Sequence, residues 1–284
     1  MTTGRPGAAH LGLPYDIQYD PVPVADIWAD AALGTFPAYR TGPDPAAVEA
    51  AADAILSARS PLIVCGGGVV IAGAVDLLDR IARALDIAVA TSISGQGSLA
   101  ETHPSAVGVV GSNGGTDETW EAMTGADLVI FMGCRAGSTT TARWEAPKPG
   151  TRIVHFDSDP MVIGAVLPTE VGVVGDLRLS LTALEAELAK RRLPGFGGAT
   201  LAGDIRARKF ARFDRLAASG ETPIRPERVV AALQRLLPED AVIVSDPGTS
   251  CPYFSAYYQL PLPGRHFITN RAHGALGYAL SAAL

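Results

Sequence analysis

The chain has 284 residues, enough for two ordinary domains with substantial cores. Its formal net charge is −6 and its pI is about 5.4, without a cluster of Lys and Arg, which argues against a surface for nucleic acid or anionic membranes. Hydrophobic residues make up 48% of the chain but aromatic residues only 6%, so Ala, Val, Leu and Ile must form the core, as in helices packed on parallel sheets. This composition favours a small-molecule enzyme or binding module.

No segment is predicted to cross or enter a membrane. The most apolar run, Leu62 to Val75, contains three consecutive glycines and is too short to span a bilayer, and residues 1–5 contain no apolar signal segment. Cys65, Cys134 and Cys251 are widely separated and lack the spacing of a metal or redox motif. We interpret them as buried small apolar residues in a protein of the reducing cytoplasm.

The first 43 residues precede the regular pattern. Residues 4–18 predict a turn, a short strand and an exit at Pro14, although an N-terminal arm lying on the surface of the following domain is an alternative. Residues 19–43 are rich in proline and show little periodicity, which predicts a linker running over the surface.

Regular alternation of helix and strand begins at Asp44. Asp44 as a cap and Pro45 in the first turn predict a helix over Ala46 to Ala58. The predicted elements that follow are a strand at 61–65, a helix at about 72–85, strands at 88–91, 126–132, 152–157 and 171–176, and a helix from 177 to about 191. This alternation predicts an α/β fold with a doubly wound, Rossmann-like parallel sheet over residues 44–192.

Ligands of such sheets bind where strands end at the switch point. Gly66, Gly67 and Gly68 follow the first strand and could face a phosphate, but the next glycine does not complete a dinucleotide fingerprint, so the sheet could equally be only a scaffold. Asp157 ends another strand, where its carboxylate could bind a ribose or cap the next turn. His103, before a proline, is interpreted as a loop residue.

Residues 193–220 are predicted to be a second linker, broken at Pro194 to Gly198 and followed by a basic helical segment at 205–218. A second α/β unit follows. Its predicted elements are a helix at 226–236, a strand at 241–245, a loop at 246–250, a helix containing Tyr253, Tyr257 and Tyr258 in packing roles, a strand end at 267–269 and a helix from about 278.

The turn Gly274-Ala275-Leu276-Gly277 lies between the last strand and helix. Glycines on both sides of a bulky apolar residue let the backbone approach a flat ligand closely while Leu276 supports it. A tight strand-to-helix turn packed by Leu276 is the alternative.

Several motifs follow one another in a fixed order. They are Pro61 with Gly66 to Gly68, Gly95-Gln96-Gly97 with His103-Pro104, Ala126-Asp127-Leu128 with Gly133-Cys134-Arg135, His155-Phe156-Asp157-Ser158-Asp159-Pro160, and Gly175-Asp176. This order resembles the central domain of thiamine diphosphate-dependent enzymes of the acetolactate synthase type. Residues 4–18 are similar to the end of that family's pyrimidine-binding domain, and residues 243–249 with 267–284 are similar to the start of its diphosphate-binding domain.

The resemblance implies five segments. They are the end of the pyrimidine-binding domain at 1–18, a linker at 19–43, the central domain at 44–192, a second linker at 193–220, and the truncated N-terminal part of the diphosphate-binding domain at 221–284.

The resemblance also implies site residues. Thiamine diphosphate would be bound by Gly248, Thr249, Gly274 and Leu276, with the Gly274 carbonyl accepting from the aminopyrimidine and Leu276 wedged beneath the folded cofactor.

Some family members hold FAD or ADP in the central domain, which implies Gly67, Gly68, Arg135 and Asp157 as nucleotide-binding residues. The stretch after Arg135, residues 136–140, departs from the FAD-binding pattern. Arg271 and His273, unusual beside the turn, are predicted to face a substrate.

The implied chemistry is decarboxylation or carboligation of a 2-oxo acid, with the family's Mg²⁺ binding the cofactor's diphosphate. The activating glutamate and the Mg²⁺ ligands would lie outside this chain, so no catalytic or metal-binding residue is predicted within it, and the chain alone should be inactive. We expect a homodimer or homotetramer of the complete enzyme, or a complementing subunit of a split one. A non-catalytic module that binds FAD or ADP, or serves assembly, is the competing hypothesis.

Overall fold

The computed structural model describes residues 2–24, 28, 30–271 and 273–284. Predictions that fall on residues 1, 25–27, 29 and 272 lie outside the described residues. These positions belong to the predicted N-terminal segment, the first linker and the stretch containing the cofactor turn.

Six parallel strands form the central sheet, in the order β3-β2-β1-β4-β5-β6. The strand order reverses between β1 and β4, which makes their carboxyl ends the switch point of a doubly wound sheet. The predicted fold class is therefore confirmed. The strands span Pro61–Cys65 (β1), Ala88–Thr91 (β2), Ala106–Val109 (β3), Leu128–Met132 (β4), Arg152–Asp157 (β5) and Val171–Val174 (β6).

Helices cover both faces of this sheet. The first begins where its sequence signal predicts, because the Asp44 carboxylate accepts a hydrogen bond from the Ala46 amide at 2.9 Å and Pro45 occupies the first turn. Alternate strand residues face opposite sides, so Ile63 packs with α1, α3 and α5, whereas Leu62 packs with α4 and α6. These helices are α1 (Pro45–Leu56), α2 (Gly68–Ile71), α3 (Val75–Leu85), α4 (Asp117–Gly125), α5 (Leu177–Leu188) and α6 (Gly198–Ala217).

Two sequence predictions need correction, and two elements were not predicted. Residues 4–18 contain no strand, because no neighbouring strand pairs with them, and residues 5–18 lie exposed. The strand β3 and the helix α4 were not predicted. The helix predicted at 205–218 is present but begins earlier than expected: α6 begins at Gly198, and its Ala202 and Ile205 are fully buried against the sheet, so most of residues 193–220 is packed helix and not linker.

The C-terminal unit begins after α6. Its elements are α7 (Pro226–Leu236), β7 (Ile243–Val244), α8 (Ser250–Tyr257), β8 (Phe267–Ile268) and α9 (Tyr278–Ala282). Strands β7 and β8 pair in parallel, with Ile243 opposite Phe267. The ring of Tyr257 stacks on Phe213 of α6 at 4.7 Å, and Tyr258 is also buried, as the packing interpretation predicted.

The three cysteines are free and buried, as predicted. None of the helices in the described ranges combines the length and apolar character that crossing a bilayer requires.

The two units touch through backbone as well as side chains. The Gly264 amide donates to the Gly97 carbonyl at 2.8 Å, and the Glu101 amide donates to the Leu260 carbonyl at 2.9 Å. Gly97 has a φ of +87°, and a Cβ there would lie 1.7 Å from the Gly264 carbonyl oxygen. Glycine is therefore required at this contact for both its backbone angle and its lack of a side chain.

We expect Gly97→Ala to destabilise the protein more than Gly73→Ala. Both residues have left-handed φ, but a Cβ at Gly73 meets open space, so that variant should lose only about 1–2 kcal/mol of unfolding free energy. Gly97→Ala should lose more than about 3 kcal/mol, because the Gly264 segment must move as well. Urea unfolding measures both, and equal losses would show that the contact is not a constraint.

Candidate functional site

A cleft of about 750 Å³ opens at the switch point of the central sheet. Its walls come from the loops that follow β1, β2, β4 and β5, together with residues 4–6 and 36–41 of the N-terminal part and Arg271 of the C-terminal unit. Its volume is in the range that holds a small-molecule ligand or cofactor. The predicted nucleotide-binding residues Gly67, Gly68, Arg135 and Asp157 all line it.

The glycine triplet after β1 serves mainly to pack loops together. A Cβ at Gly66 would lie 2.1 Å from the Gly133 carbonyl oxygen, and one at Gly68 would lie 2.7 Å from Gly133 Cα. The amides of Gly66 and Gly68 donate to the carbonyls of Met132 and Gly133 at 2.9 and 3.1 Å. Within the described ranges, only the Gly67 amide of the three has no acceptor, so the triplet alone offers little to a phosphate.

Asp157 caps the turn after its strand and also lines the cleft. Its carboxylate accepts a hydrogen bond from the Asp159 amide at 3.0 Å, which caps the turn after β5, and it also faces the cleft. Burial raises the pKa of the Asp157 carboxyl. Its second oxygen remains an acceptor that a ligand hydroxyl or amino group could use.

Three arginines border the cleft and differ in their partners. Arg5 pairs with Asp159 at 3.3 Å. Arg135 is exposed and makes no hydrogen bond or ion pair with any part of the chain that the structure describes. Arg271 donates through Nε and Nη2 to the Asn113 amide oxygen, the Nε contact being 3.2 Å, with the amide assigned in the orientation that pairs acceptor with donor. Asn113 belongs to the loop after β3, so Arg271 reaches across to the central domain.

His155 positions the loop that carries Arg135. Its Nε2 lies 2.8 Å from the Cys134 carbonyl oxygen, so this nitrogen is the protonated one and donates. Burial lowers the pKa of His155, and the hydrogen bond to Cys134 opposes that shift. The imidazole is therefore neutral at pH 7.

The predicted cofactor turn is exposed at the end of the C-terminal unit. Gly274 and Gly277 adopt left-handed φ angles of +79° and +84°, and a Cβ at Gly274 would meet no atom within 4 Å. Leu276 is 73% exposed, so it does not pack the turn from within. A Cβ at Gly248 would lie 3.2 Å from Leu276 Cδ2, which brings the two predicted cofactor loops into contact.

Asp246 holds these two loops together, a role that its sequence position alone did not reveal. Its two carboxylate oxygens accept hydrogen bonds from the amides of Gly277 at 2.9 Å and Ala279 at 2.8 Å. These hydrogen bonds, the one from Gly277 first, lower the pKa of Asp246. The two amides that Asp246 caps lie 31 and 33 residues further along the chain, a separation too long for a local sequence pattern to reveal.

The remaining predicted residues lie near this turn. Thr249 and His273 are exposed. Thr269 Oγ1 and Asn270 Oδ1 are buried without a hydrogen-bond partner among the described residues, which leaves them able to bond a ligand or water. In the same ranges, no group of three or more His, Cys, Asp or Glu residues is placed to hold a metal ion.

Comparison with known proteins supports the resemblance. The family described as "Thiamine pyrophosphate enzyme, central domain" matches residues 48–184. A probable acetolactate synthase large subunit of Methanocaldococcus jannaschii is 31% identical over 100% of this chain and 48% of its own length. Residues 48–184 belong to the central-domain family of thiamine pyrophosphate enzymes, and the whole chain is similar to acetolactate synthase large subunits.

Other family members show similar coverage. Glyoxylate carboligase of Escherichia coli O157:H7 is 30% identical over 100% of this chain and 47% of its own length. The acetolactate synthase isozyme 3 large subunit of Escherichia coli K12 is 28% identical, with 99% of this chain and 49% of its own length aligned. The chain thus spans about half the length of the curated relatives it matches.

The described residues are compatible with the family's cofactor. A bound ligand could fill the open space beside Gly274 and cover the exposed Leu276. It could also donate hydrogen bonds to the buried oxygens of Thr269 and Asn270, which have no partner among the described residues. The assignments of Gly248, Thr249, Gly274 and Leu276 to thiamine diphosphate stay predictions.

We expect Asp246→Ala to loosen the turn. Loss of both acceptors should increase the hydrogen-exchange rates of the Gly277 and Ala279 amides roughly tenfold. Because the pKa of Asp246 is lowered, the same protection should be present at neutral pH and lost as the pH falls through that lowered pKa. Asp240→Ala, at an exposed position, is the control, and unchanged exchange in Asp246→Ala would contradict the role.

We also expect His155 to make the protein less stable in acid. Its folded-state pKa is lowered, so stability should be full above the ordinary histidine pKa of about 6.5 and should decline as the pH falls through the lowered value. His155→Gln keeps a donor for Cys134 and removes the titration, so its unfolding free energy should change less between about pH 7.5 and 5.5.

The exposed His10→Gln variant should retain the wild-type profile of unfolding free energy against pH. A His155→Gln profile as steep as the wild type would assign the acid sensitivity to another group.

Proposed function

We propose that the protein containing this chain uses thiamine diphosphate to decarboxylate a 2-oxo acid, to carboligate it, or both. The observation that supports this most is the exposed turn at 274–277, which Asp246 holds against the loop of Gly248. Similarity to acetolactate synthase large subunits and glyoxylate carboligase supports the same reaction class.

Thiamine diphosphate supplies the electron sink that stabilises a carbanion at the former carbonyl carbon of the substrate. The chain's own residues would bind and orient it. We assign the Gly274 carbonyl to accept from the aminopyrimidine, Leu276 to support the cofactor from below, and the Gly248–Thr249 loop to contact its diphosphate. His273 is exposed on the same turn and is proposed to face the substrate.

Catalysis is proposed to need residues beyond these 284. The chain aligns with only 48% of the M. jannaschii relative. We propose that the activating carboxylate and the Mg²⁺ ligands come from the rest of a longer polypeptide or from another subunit, within at least a dimer. Three buried free cysteines fit the reducing cytoplasm as its location.

A second candidate function is nucleotide binding in the central cleft. It is favoured by the position of the 750 Å³ cleft at the switch point. The walls of the cleft include the Asp157 carboxylate and Arg135, which has no ion-pair partner among the described residues. ADP and FAD share the adenosine diphosphate that these groups could recognise. Titration with each ligand would test this candidate: binding of ADP but not FAD would define the cleft as an ADP site, and binding of neither would reject it.

The test of the main proposal compares Leu276→Ala with Leu236→Ala in the native protein. Both leucines are well exposed, at 73% and 79%, so neither change should unfold the protein. With thiamine diphosphate, Mg²⁺ and either pyruvate or glyoxylate, we expect Leu276→Ala to release CO₂ roughly tenfold or more slowly than wild type, and Leu236→Ala to match wild type.

Calorimetry should also show weaker thiamine diphosphate binding by Leu276→Ala. Absence of thiamine diphosphate binding by the wild-type native protein would reject the proposal.

A further inference from the structure

Lys209 is a charged side chain of helix α6 that is buried beside the central sheet. Only 6% of the residue is exposed, and its Nζ makes no hydrogen bond or ion pair with any residue that the structure describes. The ring of Phe210, whose centroid lies 5.1 Å from Nζ, offsets only part of the cost of burying an ammonium group. Buried polar groups are nearly always hydrogen-bonded, and an ammonium group has three donors. Lys209 therefore needs an acceptor.

A small cavity lies next to the Lys209 side chain. Its volume is about 10 Å³, which is the space that one water-sized sphere occupies. Lys209, Glu101, Arg206 and Gln259 contribute the polar part of its lining. Gly108 of β3 also lines it, and a Cβ there would lie 2.9 Å from Lys209 Nζ. The missing side chain at Gly108 thus leaves room for the ammonium group.

Glu101 is the acceptor that faces this cavity. One of its carboxylate oxygens accepts a hydrogen bond from Gln96 Nε2 at 3.0 Å, and the other accepts a longer one from the Leu260 amide at 3.4 Å. A carboxylate can accept further hydrogen bonds at both oxygens. Arg206 is directed elsewhere, since it donates to two backbone carbonyls. Lys209 and Glu101 thus face one cavity as donor and acceptor without a direct hydrogen bond between them.

Burial acts against the charges of both groups. It lowers the pKa of Lys209 and raises the pKa of Glu101, while the charge of each group opposes the shift of the other. Arg206 also lowers the pKa of Lys209, and Glu118 of α4 raises it. An ion pair is stable in such surroundings only if other hydrogen bonds replace part of the lost solvation, which a bridging water molecule can do.

We propose that this cavity binds one water molecule, which accepts a hydrogen bond from Lys209 Nζ and donates one to the Glu101 carboxylate. The size of the cavity fits a single water, and a buried water needs at least two polar partners. This inference does not depend on thiamine diphosphate or nucleotide binding.

The site would connect the central domain with the unit that carries the predicted cofactor turn. The Glu101 amide donates to the Leu260 carbonyl at 2.9 Å, so Glu101 holds this residue through both its backbone and its side chain. The neighbouring Gln259 is held from the other side, because its amide donates to Gln234 Oε1 of α7 at 2.7 Å. Residues 259–260 lie between α8 and β8, and the water would add Lys209 of α6 to the contacts that fix them.

A high-resolution crystal structure of the native protein that contains this chain tests the proposal directly. We expect density for a water about 2.7–3.2 Å from both Lys209 Nζ and a Glu101 carboxylate oxygen. Lys209→Met keeps a long unbranched side chain without the donor, so it should lose the water. Lys148→Met, at an exposed position, should retain it.

Hydrogen exchange measures whether the two side chains act together. Lys209→Met and Glu101→Gln should each speed exchange of the Leu260 amide roughly tenfold. If one water joins them, the double variant should exchange no more than about twofold faster than either single variant. A roughly hundredfold increase in the double variant would mean that they act independently and would contradict the bridge.

The wild-type structure decides the proposal even if a variant does not fold. A cavity without density in wild type would overturn it. An anomalous bromide signal at this position, in crystals grown with bromide, would replace the water with a halide ion and would also overturn it.

Discussion

Direct backbone contact between three loops is the constraint on which the rest of the structure depends. A side chain at Gly66 would collide with the Gly133 carbonyl at 2.1 Å, and one at Gly95 would collide with the Cys65 carbonyl at the same distance. The loops after β1, β2 and β4 therefore meet without intervening side chains. This contact forms the floor of the central cleft and fixes where the loop carrying Arg135 can lie, with His155 supporting that loop from β5.

Much of the fold could be predicted because its signals are local. Asp44 and Pro45 mark the first helix, and buried strands such as Arg152–Asp157 are bounded by turn residues. Strand β3 escaped prediction because it is short, contains Gly108 at a φ of +104° and pairs across a register shift. Helix α4 begins with polar residues, so its signal is the Thr116–Thr119 capping box rather than apolar periodicity. The N-terminal strand failed because a strand needs a partner that no local pattern supplies.

The site was predictable to a smaller extent, since its parts meet through tertiary contacts. The glycine triplet was considered as a phosphate-binding loop, but Gly66 and Gly68 pack directly against the backbone of Gly133. Arg271 was predicted to face a substrate from its position beside the cofactor turn, whereas its contact with Asn113 joins segments far apart in the chain. Asp246 was read as part of a loop, and its two bonds to Gly277 and Ala279 emerge only when β7 and β8 lie side by side.

Helix α6 has a further consequence for how the molecule can be divided. Its 20 residues make a rod of roughly 30 Å, with Ala202 and Ile205 in one hydrophobic core and Phe213 in another. If the chain were cut within α6, each half would lose helix residues that cover its core. The apolar surface exposed in this way would make each half prone to aggregate. The boundary between the two units is thus a helix that belongs to both hydrophobic cores. A protease should therefore cleave before Gly198 or after Ala217 and not between them.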